Sequence, residues 1–219
     1  MPLFLDIHTH TVKQSKDITA IQSLSVTENI FLAMPKIKPI SLGIHPWYGN
    51  LPDLQTHMKY LEVLAKQQNV KLIGECGLDK LRGASLNEQL EILRQQVQLA
   101  VQLNKPLILH CVKAFDELIT LKKQLEPSVP MIIHGFDKKP ELALQLIHNG
   151  FLLSFGSGLI KHPSTALTFQ QTNDMFFLET DDSNLSIEEI YQKAAELKKI
   201  SIEQLKDIIF ANWKKLNLL

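Results

Sequence analysis

The segment NVKLIGE, residues 69–75, is a short apolar run that ends in a carboxylate. Similar runs recur along the chain at residues 2–8, 38–45, 105–110, 129–134, 149–155 and 174–181, with a weaker one at 17–25. These runs are continuous rather than alternating, which is typical of strands covered on both faces of a parallel sheet. The pattern therefore predicts eight parallel strands.

Helical patterns lie between most of these runs. Residues 85–104 carry leucines and valines at helical spacing, and Ser85 with Glu88 forms the sequence signature of a capping box. Further helices are predicted within residues 114–125, 137–150 and 186–200. Strands that alternate with helices indicate right-handed βα units. The predicted fold class is α/β, a (β/α)8 TIM-type barrel.

The first third of the chain departs from this alternation. About ten residues separate the first strand from the weak second one, and residues 26–39 have room for at most a turn or two of helix. A parallel crossover usually needs a dozen or more residues. We therefore expect a barrel that is abbreviated or distorted around strands 1–3, without a crossover helix between the first two strands.

Length and composition bound the class of protein. A chain of 219 residues that is 45% hydrophobic can bury one core, so we expect a single hydrolase domain over 1–219. Lys+Arg and Asp+Glu balance at 23 each, which argues against a protein that coats nucleic acid with its whole surface. Neither a secretory leader nor a membrane span is expected from the sequence. The expectation is a cytoplasmic protein without an obligate protein partner.

Histidines and carboxylates collect at the ends of the predicted strands. In strand order they are His8, His10, His45, Glu75, His110, His134 and Asp181. The carboxyl ends of barrel strands meet at one mouth, where the active sites of such barrels lie. These ligands exceed what one tetrahedral zinc ion needs, so two divalent ions that share a carboxylate are predicted. Zinc, magnesium and manganese all remain open.

Sequence motifs over nearly the whole chain resemble the TatD family of metal-dependent deoxyribonucleases, within the amidohydrolase-like barrels. The motifs are DIHTH (6–10), GIHPW (43–47), IGECGLD (73–79), NKPLILHC (104–111), IIHGF (132–136), LLSFGSG (152–158), LETD (178–181) and ANWKKLNLL (211–219). The resemblance implies that one ion is held by His8, His10 and Asp181. It also implies that His110 and His134 hold the other ion, and that Glu75 bridges both.

The resemblance also implies a reaction. Glu75 and Asp181 would be the catalytic carboxylates, with Asp181 as the general base for a water activated by the ions. His45, Arg82 and Lys113 are the predicted substrate-binding residues. A DNA end or a small phosphodiester is the expected substrate.

Several positions depart from the family pattern. Lys113 stands where the family usually has arginine, and residues 135–138 read Gly-Phe-Asp-Lys in place of Cys-Phe-Ser-Gly. Asp182, Ser183 and Asn184 replace a small residue and a proline after the Thr-Asp pair. These changes bear on substrate choice more than on metal binding.

Other interpretations of the opening histidines are possible. DIHTHT, residues 6–11, is also similar to the first motif of the PHP phosphoesterases, but that family ends its site with a late aspartate-x-histidine pair, and no histidine follows His162. Another amidohydrolase-like hydrolase with a small substrate is a further alternative. A barrel that binds metal or ligand without catalysis is less favoured, because every predicted metal ligand is present.

Overall fold

The computed structural model describes residues 3–11, 15–26 and 34–219. The eight strands are β1 Phe4–Thr9, β2 Ile18–Ser25, β3 Ile40–Gly43, β4 Val70–Asp79, β5 Leu107–Val112, β6 Met131–Ile133, β7 Phe151–Phe155 and β8 Phe176–Leu178. They form one sheet in sequence order, and the strand pairs recorded in it are parallel. A parallel bridge between Thr9 and Asp181 also connects the end of β1 to the segment after β8. This is the strand order of a (β/α)8 barrel, as the sequence predicted.

The described residues contain eight helices. They are α1 Leu51–Leu64, α2 Leu86–Leu103, α3 Phe115–Leu125, α4 Pro140–His148, α5 Gly158–Lys161, α6 Pro163–Gln171, α7 Ile187–Lys198 and α8 Ile202–Lys215. The capping box predicted at Ser85 and Glu88 is present at the start of α2. Serines 186 and 201 begin α7 and α8 in the same way. Both partners of each box satisfy backbone N–H groups that a helix start would otherwise leave unpaired.

The chain divides into two compact units. We call Ser23–Ile132 the central unit, and Met1–Gln22 with Ile133–Leu219 the terminal unit. In the central unit, Leu42, Leu72 and Leu109 are among the fully buried strand residues. In the terminal unit, the rings of Phe155, Phe169 and Phe176 pack edge to face with centroids 5.1 and 4.7 Å apart. Each unit therefore has its own apolar core.

Two glycines allow β4 and β5 to approach closely within the central unit. A Cβ at Gly77 would lie 1.9 Å from the carbonyl oxygen of His110, and one at Gly74 would lie 2.2 Å from that of Ile108. Both glycines also have φ above +130°, a region closed to side-chain-bearing residues. The register between the strands shifts between Ile73 and Cys76. Glu75 therefore lies at an irregularity inside β4.

Strand bounds differ from the sequence-based prediction mainly in β4. The predicted strand ended at Glu75, whereas β4 continues to Asp79, because the two glycines let the backbone keep pairing with β5 beyond the irregularity. The other strands begin one or two residues later than predicted. Helices α1, α5, α6 and α8 are additions to the predicted set.

The connections before β3 bear on the predicted distortion. Residues 15–17, which lead into β2, form no helix, and β2 itself occupies the span from residue 18. The β1–β2 pairing also shifts register between Asp6 and Thr9. The expected absence of a full crossover helix therefore holds for the described part of this connection. Residues 12–14, and 27–33 within the second short connection, lie outside the described residues.

Within the same described ranges, no helix combines the length and the apolar character required to cross a bilayer.

Candidate metal centre

Three of the predicted ligands meet at one carboxylate oxygen in the terminal unit. The Nε2 atoms of His8 and His10 lie 3.6 and 3.4 Å from Oδ1 of Asp181. His8 is fully buried, whereas the side chains of His10 and Asp181 are 45% and 32% exposed. A buried imidazole beside two partly exposed ligands forms a site that solvent can reach from one side.

The backbone holds this cluster together. The N–H of Asp181 donates to the carbonyl oxygen of His8 at 2.9 Å, and the N–H of His10 donates to that of Asp181 at 3.2 Å. Asp181 has φ of +54°, a left-handed conformation that aspartate adopts more readily than most residues. The His-x-His spacing places both histidines on the same face of the strand. The strand pairing therefore brings the two rings to Asp181.

A buried network lies directly behind these ligands. Asp6 accepts hydrogen bonds from the Thr180 hydroxyl at 2.6 Å and from the Thr180 N–H at 3.1 Å. The hydroxyls of Thr180 and Thr9 are 2.9 Å apart. Burial raises the pKa of Asp6 to about 7, although the hydrogen bonds from Thr180 act in the opposite direction. Asp6 thus ties the start of the His-x-His motif to the residue before Asp181.

His134 lies beside a second carboxylate of the terminal unit. Its Nδ1 is 3.4 Å from Oε1 of Glu179, and that oxygen accepts a 2.6 Å hydrogen bond from the Gly135 N–H. Glu179 is completely buried. It was absent from the predicted site residues, although its position two residues before Asp181 could have indicated it. The ring of His134 also packs 4.3 Å from that of His8.

The central unit contains a second group of ligands around Glu75. Its Oε1 lies 2.9 Å from Nε2 of His45 and 3.0 Å from Nδ1 of His110. All three side chains are largely buried, with exposures of 4%, 7% and 12% for Glu75, His45 and His110. One carboxylate oxygen therefore interacts with two imidazoles.

The contacts of His45 identify its tautomer. The N–H of Trp47 donates to Nδ1 at 3.1 Å, so Nδ1 carries a lone pair and Nε2 carries the proton. The Nε2–H then donates to Glu75. A histidine bound to metal through Nε2 would need its proton on Nδ1, where the Trp47 N–H already points. This arrangement makes His45 a hydrogen-bond partner of Glu75, and it argues against His45 as a ligand through Nε2.

His110 has a carboxylate on each side of its ring. Nε2 is 3.2 Å from Oδ2 of Asp79, and the indole N–H of Trp47 donates to the same oxygen at 2.6 Å. Burial alone would raise the pKa of Asp79, but the hydrogen bonds from Trp47, Leu81 and His110 outweigh it and lower that pKa. The ionised Asp79 favours a proton on Nε2 of His110, which leaves Nδ1 for a cation on the Glu75 side.

The donor atoms suit divalent ions. In the terminal unit, ligand atoms of His8, His10 and Asp181 all lie within 4.8 Å of one another, and so do those of His134, Glu179 and Asp181. In the central unit the same is true of His45, Glu75 and His110. Imidazole and carboxylate donors suit zinc and manganese, and carboxylates also suit magnesium. The residues therefore fit the predicted cofactor class.

The predicted substrate-binding cations are on the loops after β4 and β5. The guanidinium of Arg82 lies 3.9 Å above the Trp47 ring, and Lys113 is exposed with φ of +53°. Lys80 differs from them because its ammonium is paired with Glu117 at 2.6 Å. Arg82 and Lys113 are therefore better placed than Lys80 to meet an anionic substrate.

A cavity of about 210 Å³ lies beside Asp181 in the terminal unit. Its lining includes Gly135, Asp137 and Asp182, three positions where the sequence departs from the family pattern, together with Lys161 and His162. The departures noted in the sequence therefore line a space next to a predicted catalytic carboxylate.

Residues 8–217 match the family described as TatD related DNase. The chain belongs to this family. It is 28% identical to the uncharacterized metal-dependent hydrolase YabD of Bacillus subtilis over 195 residues, which cover 80% of this chain and 76% of that protein. It is 30% identical to the human deoxyribonuclease TATDN3 over 201 residues, which cover 80% and 72%.

Solved structures support the fold of this TatD-family chain. The TatD homologue YJJV of Escherichia coli superposes with a TM-score of 0.81, at 18% identity, over 99% of this chain and 98% of that one. The predicted membership of the TatD family, the barrel fold class and the class of metal-dependent hydrolase are thus confirmed. The family match also decides against the PHP phosphoesterases.

Proposed function

We propose that this TatD-family protein hydrolyses phosphodiester bonds of DNA with the help of divalent ions. The observation that carries the proposal is the convergence of two histidines on one carboxylate oxygen, with His8 Nε2 and His10 Nε2 both within 3.6 Å of Asp181 Oδ1. Membership of a family described as DNases supports the phosphodiester class.

Two ions are part of the proposal. His8, His10 and Asp181 would hold one, His110 and His134 would take part in holding the other, and Glu75 would be shared. The shared role of Glu75 rests on the family resemblance. When bound, such ions lower the pKa of a water molecule towards neutrality and polarise a phosphoryl oxygen.

Three side chains of the protein have proposed roles in the reaction. Asp181 accepts the proton of the attacking water, because it combines partial exposure with a position fixed by two backbone hydrogen bonds. His45 donates its Nε2–H to Glu75 and so orients that carboxylate. Asp79 keeps the proton of His110 on Nε2. No protein nucleophile is needed.

Binding of the substrate is assigned to Arg82 and Lys113, whereas His45, the third predicted substrate-binding residue, acts through Glu75 because both of its ring nitrogens are engaged. Arg82 keeps its N–H edges available while its face rests on Trp47, and arginine edges suit phosphate oxygens. Lys113 supplies an exposed point charge at the end of β5. A DNA end is the preferred substrate, and a small phosphodiester is the alternative.

The experiment is a panel of substrates assayed with magnesium, manganese and zinc in turn. It contains short single-stranded DNA with a free 3′ end, simple phosphodiesters, lactones and amides. We expect metal-dependent cleavage of the DNA and the phosphodiesters. Hydrolysis of lactones or amides without any phosphodiester would contradict the proposed reaction.

The proposal includes a cytoplasmic location, a single domain over residues 1–219 and action without an obligate protein partner. Cys76 and Cys111 are both free thiols, which suits a reducing compartment. Cell fractionation tests the location, and one cooperative unfolding transition would support the single domain.

A further inference from the structure

Tyr48 is an exposed aromatic residue beside the ligands of the central unit. It is 58% exposed, whereas its neighbours Pro46 and Gly49 are buried. The N–H groups of Tyr48 and Gly49 both donate to the carbonyl oxygen of His45 at 3.0 Å, so the turn is fixed to that residue. The Tyr48 ring lies 5.5 Å from the His45 ring, and His45 in turn bonds Glu75. An exposed ring is therefore held next to the histidine that bonds the proposed metal ligand Glu75.

The neighbouring Trp47 has a different role. Arg82 covers one face of its indole ring, and the indole N–H is committed to Asp79. Trp47 therefore anchors the loop, and of the two adjacent aromatic residues Tyr48 offers the more open ring.

The loop that carries Arg82 is also firmly placed. Gln89 donates to the carbonyl oxygens of Asp79, Arg82 and Ala84, at 2.9, 3.1 and 2.8 Å. A Cβ at Gly83 would lie 2.2 Å from the carbonyl oxygen of Pro46, so the two loops are packed against each other. The loops that carry the exposed tyrosine and the arginine are thus both firmly placed, and each of the two residues lies beside Trp47. Proteins that bind single strands combine stacking aromatics with cations that follow the phosphates.

We propose that Tyr48 stacks on an unpaired nucleobase of the substrate while Arg82 meets its backbone. This inference rests on the proposed function and assigns two residues of this chain to its substrate: the ring of Tyr48 to the open face of an unpaired base, and Arg82 to a phosphate. Two observations support the proposal. The Tyr48 ring is exposed, and the guanidinium of Arg82 is held 3.9 Å above the ring of the adjacent Trp47.

The test measures equilibrium binding to the metal-loaded protein by fluorescence anisotropy. The probes are a labelled single-stranded oligonucleotide with hydrolysis-resistant phosphorothioate linkages and a series in which one position at a time is abasic. Tyr48→Ala should weaken binding of the complete oligonucleotide by roughly 5- to 100-fold, the range for loss of one stacked base. Tyr48→Phe, which keeps the ring, should retain most of the affinity.

The abasic series separates stacking from structural damage. At one position, removal of the base should weaken binding to the wild-type protein about as much as Tyr48→Ala does. Tyr48→Ala should then lose little more with that same abasic oligonucleotide. Phe210→Ala serves as the matched control, because Phe210 is a 40% exposed aromatic residue on α8, in the other unit.

Two results would overturn the proposal. One is an equal loss for Tyr48→Ala with every probe, abasic or complete. The other is wild-type affinity for all probes in that variant. Because these measurements are of binding, they are independent of the hydrolysis panel: a protein that cleaves phosphodiesters but shows no coupling between Tyr48 and a base would refute the stacking alone.

Discussion

The two ligand clusters are fixed by different means. In the terminal unit, backbone hydrogen bonds between Asp181 and the His-x-His motif set the positions, and His10 and Asp181 remain partly exposed. In the central unit, the Nε2–H of His45 donates to a Glu75 that is almost completely buried, and Nδ1 of His110 lies 3.0 Å from the same carboxylate oxygen. A substitution of one ligand in the terminal unit should therefore alter the chemistry and leave the backbone geometry in place. A substitution in the central unit should also disturb the geometry of the remaining ligands.

The histidines also show opposite orientations toward their carboxylate partners. His134 turns Nδ1 to Glu179, whereas His110 turns Nε2 to Asp79. A carboxylate that holds one ring nitrogen as N–H directs the other toward a metal. The hydrogen bond at Asp79 therefore directs Nδ1 of His110 toward a metal, whereas the contact of His134 with Glu179 is only a 3.4 Å ion-pair distance and does not select a nitrogen.

The largest effect is expected for Glu75→Ala. Because Glu75 is the proposed shared ligand and also accepts the Nε2–H of His45, its removal should abolish binding of both ions and with it the activity. Metal analysis of protein purified without chelator should fall from two ions per chain to nearly none. Glu75→Gln, which can still accept the His45 hydrogen bond, controls for misfolding. Full metal content in both variants would refute the shared role.

Asp181→Asn comes next. Removal of the general base should lower turnover by about 10²–10⁴, with a further loss from weaker metal binding. Thermal stability should change little, since the strand pairing at this position uses the backbone and asparagine tolerates the left-handed φ. The measurement is kcat with saturating metal. Wild-type turnover would show that another group takes the proton.

Asp79→Asn should have an intermediate effect. The carboxylate orients His110, and loss of such a partner typically costs about 10–100-fold in metal affinity or activity. Titration of the metal-free protein with zinc measures the affinity directly. Trp47→Phe is the matched control, because it removes the other donor to the same oxygen and leaves the carboxylate in place. An equal loss in both variants would assign the effect to the loop instead of to His110.

Lys113→Ala should have the smallest effect. An exposed cation contributes binding shared by the ground and transition states, so KM for DNA should rise about two- to five-fold while kcat stays nearly constant. Lys113→Arg, which restores the residue usual in the family, should reverse the change. A large fall in kcat for the alanine variant would place Lys113 in the chemistry.

Sequence patterns predicted the strand order and the set of polar strand ends well, because buried parallel strands leave continuous apolar runs. Glu179 was not among the predicted site residues, because the sequence does not show whether a carboxylate at a strand end faces a histidine or pairs with a lysine or arginine. The hydrogen-bond partners of His45 and His110 could not be predicted either. They are Trp47 and Asp79, which come together only when the loops pack. The extension of β4 to Asp79 depends on the close approach of β4 and β5. Glycines permit this approach, but their presence in a sequence does not predict it.

The glycines of β4 have a consequence for how this sequence can evolve. Gly74 and Gly77 each satisfy two separate demands, a φ that side-chain-bearing residues avoid and a neighbouring carbonyl oxygen closer than any Cβ could be. A compensating mutation nearby replaces only a side chain, so it could remove neither the backbone carbonyl oxygen nor the positive φ. In a saturation library we expect only glycine to survive at both positions, so these sites are fixed points around which substrate-binding loops can diverge.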